Sequence, residues 1–192
     1  MSVSFITGSM FGAKSKILIE CIESVESSGE QFLVIKPVKD TRDGLLVKSR
    51  DSDKTVEADA WDENNKLMRV QFLNALTEMI LNADGEGTSV FIDEGHFLSL
   101  EDMQFIVNNC KEFDVNLYVS GLETSFKIEW FPSTKWLKGV CDTYIFLHGR
   151  CSKCGKDNAV YNILYENGKR VIDGESIHPG DTEYNVLCEN CL

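Results

Sequence analysis

The chain has 192 residues, 43% of them hydrophobic and 26% charged, with 31 acidic against 19 basic side chains and a formal charge of −12. One core of ordinary size, or one core with a small appendage, fits that length, and 10% aromatic residues with only three prolines exclude a disordered chain. The acidic excess argues against coating nucleic acid, no apolar run approaches the roughly 20 residues that cross a bilayer, and the N-terminus does not read as a signal peptide, so a soluble cytoplasmic protein with no membrane or nucleic-acid partner is expected.

Residues 2–7 (SVSFIT) read as a buried strand running straight into Gly8. Ile17, Leu18, Cys21, Ile22 and Val25 recur at spacings of three and four, which predicts an amphipathic helix over 14–25 that Gly29 terminates. A second strand, 31–35 (QFLVI), closes at Lys36-Pro37. Residues 38–64 are polar and of mixed charge, and are expected to form a loop region with one short strand near 54–57. A long helix follows over 67–81, with Leu67, Val70, Leu73, Leu76, Met79 and Ile80 on one face. Then come a third strand at 89–92, a helix over 100–113 headed by Ser99 with Asp102 three residues on, and strands at 116–120 and 142–147. Strands alternating with helices predict an α/β fold with a mainly parallel sheet flanked by helices. Beyond Gly149 the pattern changes to cysteine pairs and short alternating strands, which places a boundary between residues 1–148 and 149–192.

A strand, then Gly8-Ser9-Met10-Phe11-Gly12-Ala13-Lys14-Ser15, then a helix is the context of a phosphate-binding P-loop. In such a loop backbone N–H groups converge on the phosphates, Lys14 adds a cation, and the Ser15 hydroxyl ligates Mg²⁺. Ala13 stands where the motif has its last glycine, and Gly12 is expected to supply the missing freedom one residue earlier. The segment Val90-Phe91-Ile92-Asp93-Glu94 puts a carboxylate at the carboxyl end of a buried strand, where open α/β sheets bind ligands. Asp93 then reads as the Mg²⁺ partner, leaving Glu94 to act on a nucleophile.

Of seven cysteines, Cys21, Cys110 and Cys141 are isolated and read as buried hydrophobes. Cys151, Cys154, Cys188 and Cys191 form two C-x-x-C knuckles whose four thiolates suit structural Zn²⁺ and leave no open position for water.

Together these motifs resemble the type II thymidine kinases, the zinc-containing cytosolic family that also occurs in bacteria and DNA viruses. The residues from Gly8 to Ser15 are similar to its G-P-M-F-S-G-K-[ST]. Asp40-Thr41-Arg42 is similar to its D-x-R loop, and Ile92 to Phe97 (IDEGHF) resembles its I-D-E-x-Q-F. Gly121 to Phe131 (GLETSFKIEWF) resembles its G-L-D-x-x-F-[RQ]-x-x-P-F, and the knuckles with Tyr184 complete the series. The resemblance implies a P-loop (RecA-like) domain with a small C-terminal zinc-ribbon or lasso domain. The implied enzyme is an ATP- and Mg²⁺-dependent kinase for the 5′-hydroxyl of thymidine or a related deoxynucleoside, and a homotetramer. It further implies Glu94 as general base, with Gly8 to Ser15 and Asp93 on ATP and Mg²⁺. Arg42 would stand near the transferred phosphoryl and Asp40 near the metal. Met10, Phe97, Leu122, Phe126, Phe131, Asn162 and Tyr184 would line the nucleoside pocket, and residues 161–184 would form the lasso loop over it.

The chain departs from the family pattern at Ala13, at Glu123 (aspartate in the family), at Lys127 (often arginine), and at Asn162 and Leu164 (usually threonine and arginine). Residues 173–182 also exceed the usual G-G turn. Lys127 is expected to join Lys14 and Arg42 at one anionic site, and His96, at a family glutamine, is given no chemical role. The alternatives are a catalytically weak relative serving as a nucleotide-binding regulator, or a kinase for a modified deoxyuridine. Keeping Lys14, Ser15, Asp93 and Glu94 together favours an enzyme.

Overall fold

Six apolar segments form one sheet of parallel strands: Val3–Gly8 (β1), Gln31–Pro37 (β2), Asp59–Trp61 (β5), Thr88–Ile92 (β6), Asn116–Ser120 (β7) and Thr143–Leu147 (β8). Their order is β5-β2-β6-β7-β1-β8. The computed structural model describes residues 1–49, 53–84, 87–174 and 183–192. All six positions of β1 are buried, as expected for an inner strand of a parallel sheet covered on both faces.

Strand alternation divides the core between the two faces. Ile6, Val34 and Phe91 point to one side, where helix Lys14–Ser28 (α1) covers them with Leu18, Ile19 and Ile22. Phe5, Ile35, Val90, Ile92, Leu117 and Val119 point to the other. There they meet helices Met68–Leu81 (α2), Leu100–Glu112 (α3) and Pro132–Lys138 (α4) through Leu76, Met103, Ile106 and Leu137. The Ser99 hydroxyl caps α3 by accepting from the Asp102 N–H at 3.0 Å. No helix among the described residues is long and apolar enough to cross a membrane.

Three features differ from the sequence reading. The region 38–64 holds the hairpin Leu46–Lys48 (β3) and Thr55–Glu57 (β4), and β5, which extends the main sheet beside β2. In α2 the buried side chains are Phe72, Leu76 and Met79, while Leu67 and Val70 are exposed. Apolar residues all round this helix left its inner face undetermined by periodicity, and the position of Trp61, stacked edge-on against Phe72 at 5.8 Å, fixes it. Helix α4 was not anticipated.

A separate antiparallel sheet holds Tyr161–Glu166 (β9) between Lys169–Arg170 (β10) and Glu183–Leu187 (β11). Its core contains Cys151, Ala159, Ile163, Val186, Leu187 and Cys188. Of the long turn expected over 173–182, residues 175–182 lie outside the described residues.

Candidate active site

β1 delivers its last residue against the neighbouring parallel strand, and only glycine fits there. A Cβ on Gly8, whose φ is +142°, would lie 1.9 Å from the Leu147 carbonyl oxygen. A Cβ on Gly12 would meet the same oxygen at 2.9 Å. Gly12 is thus needed for close approach and does not have positive φ; the left-handed residues of the loop are Phe11, at φ 62°, and Ala13 itself, at φ 62° and ψ 25°. The expectation that Gly12 relieves the loop is therefore corrected. Left-handed backbone disfavours any Cβ by about 1 kcal/mol or more. Ala13→Gly is expected to raise Tm by about 2–4 °C, the equivalent of about 1 kcal/mol in a domain of this size, in thermal denaturation of the ligand-free protein; an unchanged or lower Tm would show that the strain is absent.

From Ala13 the chain enters α1, whose first turn has no side-chain cap and no acidic residue, the arrangement that leaves a helix N-terminus to an anion. Buried Lys14 turns back and donates from Nζ to the Ser9 carbonyl at 2.9 Å.

Across from the loop, β6 is followed at once by Asp93 and Glu94. Asp93 is 4% exposed and accepts hydrogen bonds from the hydroxyls of Ser120 and, at 3.4 Å, of Ser15. Burial and the neighbouring Glu94 push its carboxyl up to about 6. Glu94 is left-handed (φ 52°), so the chain turns sharply after Asp93 and the adjacent carboxylates point apart. One oxygen of Glu94 accepts from Arg42, and the other lies 3.4 Å from His96 Nδ1.

Arg42 also grips Asp40, with Nε 2.7 Å from Oδ1 and a terminal nitrogen 3.2 Å from Oδ2. Lys36 Nζ reaches Asp40 Oδ2 at 3.2 Å. Burial opposes ionisation of Asp40, and the bonds and charges of Arg42 and Lys36 outweigh it, holding the carboxyl below its ordinary range. Glu94 is also held low: burial opposes ionisation, and charge on His96, Arg42 and Lys14 outweighs it. His96 is itself pushed down to about 4, chiefly by burial, so at neutral pH Arg42 and Lys14 are the cations acting on Glu94.

On the acceptor side, Phe97, Leu122 and Phe131 converge on His96. The imidazole lies 4.3 Å from the Phe97 ring and 4.8 Å from the Phe131 ring between centroids, and its Nδ1 accepts from the Leu122 N–H at 3.3 Å. Phe126 is 1% exposed, in the core behind them. Tyr184 sits on β11 opposite Leu164, and Met10 packs against the core of the small sheet. Phe11 is half exposed. The Asn162 side chain reaches the loop that follows β1, accepting from Met10 N–H at 2.6 Å. The Lys127 ammonium donates to the Gly174 carbonyl at 2.9 Å and pairs with Glu129. Glu123 binds Lys138 and Tyr144 at 2.8 and 2.6 Å, tying the segment after β7 to the edge strand β8.

Two residues of the candidate site escape the sequence pattern. Lys36, 1% exposed at the end of β2, shows there only as an isolated cation in a mostly apolar strand. Nothing in the sequence marks Ser120 as the partner of Asp93.

The sulfurs of Cys151, Cys154, Cys188 and Cys191 all lie within 4.8 Å of one another, and Cys154 and Cys188 are 3.7 Å apart. Four sulfurs at about 2.3 Å around a tetrahedral Zn²⁺ stand about 3.8 Å apart, so the cluster has the spacing of a zinc site. Each knuckle is a tight turn, closed by Gly155 N–H to the Cys151 carbonyl and by Cys191 N–H to the Cys188 carbonyl, both at 2.9 Å.

The family model described as thymidine kinase matches residues 1–192. A thymidine kinase of African swine fever virus (isolate Tick/South Africa/Pretoriuskop Pr4/1996) is 26% identical over 194 residues, covering 100% of this chain and 92% of its own. The thymidine kinase of Enterobacteria phage T4 is 29% identical over 188 residues, covering 97% and 93%. That of the archaeon Haloquadratum walsbyi is 25% identical over 214 residues, covering 98% and 93%.

Proposed function

The chain belongs to the thymidine kinase family and is a thymidine-phosphorylating enzyme, and from that premise we propose that ATP is its phosphoryl donor and Glu94 its general base. The observation that carries this reading is the pair of adjacent carboxylates closing β6, one beside Ser15 of the phosphate loop and the other held by Arg42. Phosphoryl transfer needs positioning and charge neutralisation more than covalent help. In this reading the loop from Gly8 to Ser15 cradles the triphosphate, and Lys14 exchanges the Ser9 carbonyl for a phosphate oxygen. Arg42, fixed by Asp40, stands beside the base where the transferred group would pass. Glu94 accepts the 5′-hydroxyl proton on a carboxylate oxygen, while Phe97, Leu122 and Phe131 hold the nucleoside. Residues 1–148 would carry the triphosphate chemistry, and 149–192 the zinc and the nucleoside lasso.

Asp93 and Ser15 are the residues that would hold Mg²⁺. A buried carboxylate with its proton affinity raised, beside a hydroxyl, fits a divalent cation, which when bound would neutralise charge on the phosphates. Protons and Mg²⁺ then compete for Asp93. The half-saturating Mg²⁺ concentration is expected to fall as pH rises from 5 to 7, through the value of about 6 at Asp93, and to level off above it. Mg²⁺ titrations of ADP release at each pH check this; a constant half-saturation across the range would remove Asp93 from the metal site.

The four-cysteine cluster fits structural zinc, and thiolate ligands suit a reducing cytoplasm. Elemental analysis of protein purified without chelator is expected to give about one zinc per chain, and substantially less would count against the site. A homo-oligomer, tetrameric by resemblance, finds support in edge strand β8, where Tyr144 and Ile145 are exposed. A coupled ADP-release assay with thymidine and the other three common deoxynucleosides tests the whole reading. Turnover with thymidine is expected, and none on any nucleoside would overturn it.

A further inference from the structure

Asn162 lies on β9 of the small sheet, 152 positions from Met10, and is 2% exposed. Its side-chain oxygen accepts the Met10 N–H at 2.6 Å. The same peptide unit is held at its other end, because the Ser9 carbonyl accepts from Lys14 Nζ at 2.9 Å. A trans peptide is rigid, so two opposed hydrogen bonds fix the plane of the Ser9–Met10 link and hence the entry angle of the loop. Around it, the Ser9 hydroxyl accepts from Gly149 N–H at 2.8 Å, and the Ser9 N–H donates to the Leu147 carbonyl at 3.3 Å. The Met10 side chain packs into the core of the small sheet. When Lys14 turns to a phosphate, the Ser9 oxygen keeps, among the described residues, only the local Gly12 N–H at 3.2 Å, and the bond from the Met10 N–H to Asn162 is the grip that still ties the peptide to the small sheet.

We propose that Asn162 is a positioning residue of the phosphate loop, fixing the Ser9–Met10 peptide from the zinc-bearing lobe and thereby setting the affinity for ATP, and is not a reader of the nucleoside base. The proposal rests on the reading of residues 8–15 as a phosphate loop. It also makes the family departure at this position purposeful: threonine is one bond too short to place an acceptor where the Asn162 oxygen stands.

The test combines ATP binding by calorimetry, with Mg²⁺ present and nucleoside absent, with amide exchange at Met10, in the full chain and in Asn162→Leu and Asn162→Asp. Leu removes the acceptor while keeping an apolar side chain of similar size, and Asp retains an acceptor oxygen. In Asn162→Leu, ATP affinity is expected to fall about tenfold and the Met10 amide to exchange at least tenfold faster, with thymidine KM within twofold of the parent. In Asn162→Asp the Met10 amide is expected to stay protected, which also keeps the test alive if the Leu variant folds poorly. The proposal is overturned if Asn162→Leu binds ATP within twofold of the parent, if its Met10 amide stays protected, or if thymidine KM rises while ATP affinity is intact. A parent protein that binds no ATP would strike the phosphate-loop reading itself, and Met10 exchange would still decide whether Asn162 holds the peptide.

Discussion

Glu94→Gln is expected to lower kcat between about a hundredfold and ten-thousandfold, the usual contribution of a positioned general base, with thymidine and ATP KM little changed. The substitution is nearly isosteric, and its amide oxygen still accepts the hydrogen bond that Arg42 now gives to the carboxylate. The lost property is the ability to take a proton. Because Glu94 lies below the ordinary carboxylate range, the parent enzyme has its base ionised throughout neutral pH. The loss in the variant should therefore be uniform from pH 6 to 8. Steady-state ADP release across that range decides it: a kcat within tenfold of the parent would assign the proton to another acceptor, and a rise in KM without a fall in kcat would make Glu94 a binding residue only.

The second large effect is on stability. Lys36→Met is expected to cost about 3 kcal/mol, the lower end of the range for breaking a buried ion pair, because Arg42 remains to compensate Asp40 in part. Lys36 and Asp40 have side chains only 2% and 4% exposed, and the Lys36 ammonium also donates to the Leu46 carbonyl at 2.9 Å. Methionine fills the space but leaves that carbonyl, at the start of β3, without its donor. In thermal denaturation at pH 7 this is a fall in Tm of about 6–12 °C, at about 2–4 °C per kcal/mol. The sign with pH is fixed by Asp40. Its carboxyl is lowered in the folded state, so its contribution is present above the unfolded value of about 4 and lost as pH falls through the folded one. The gap between parent and variant should narrow in acid to the part that comes from the Leu46 carbonyl; a gap independent of pH would mean that Lys36 acts through that bond and packing alone.

Residues that meet within one strand-turn-helix unit were legible in the sequence. The 8–15 loop follows β1 directly, Asp93 and Glu94 follow an apolar strand, and each knuckle places two sulfurs three residues apart; in each case local spacing dictates the geometry. The remainder is set by distant partners. Ser120 becomes a site residue only because β6 and β7 are parallel neighbours. Lys36 is tolerated in the interior because Asp40 folds back onto it. Helix α4, seven residues long, is too short for a periodicity, and its one local signal was Pro132 at the first position. The substrate role expected of Asn162 and the phosphate role expected of Lys127 came from alignment with a family pattern. Neither position says which way a side chain turns, and here both turn to backbone groups of the opposite lobe.

The strand order has a consequence for how the molecule comes into being. β1 is made first, yet its neighbours are β7 and β8, and the Leu147 carbonyl that receives Ser9 belongs to the last strand of the main sheet. Until residues 116–120 have left the ribosome β1 has no partner on either side, and until residues 143–147 follow one edge stays unpaired, so its apolar residues and open edge stand exposed to other chains. The 8–15 loop thus precedes its closing strand by more than a hundred residues and is among the last parts of the main sheet to be completed, by contacts of long sequence separation that form slowly. A nascent chain released before residue 143 would carry every residue of the 8–15 loop and none of the strand that closes against it.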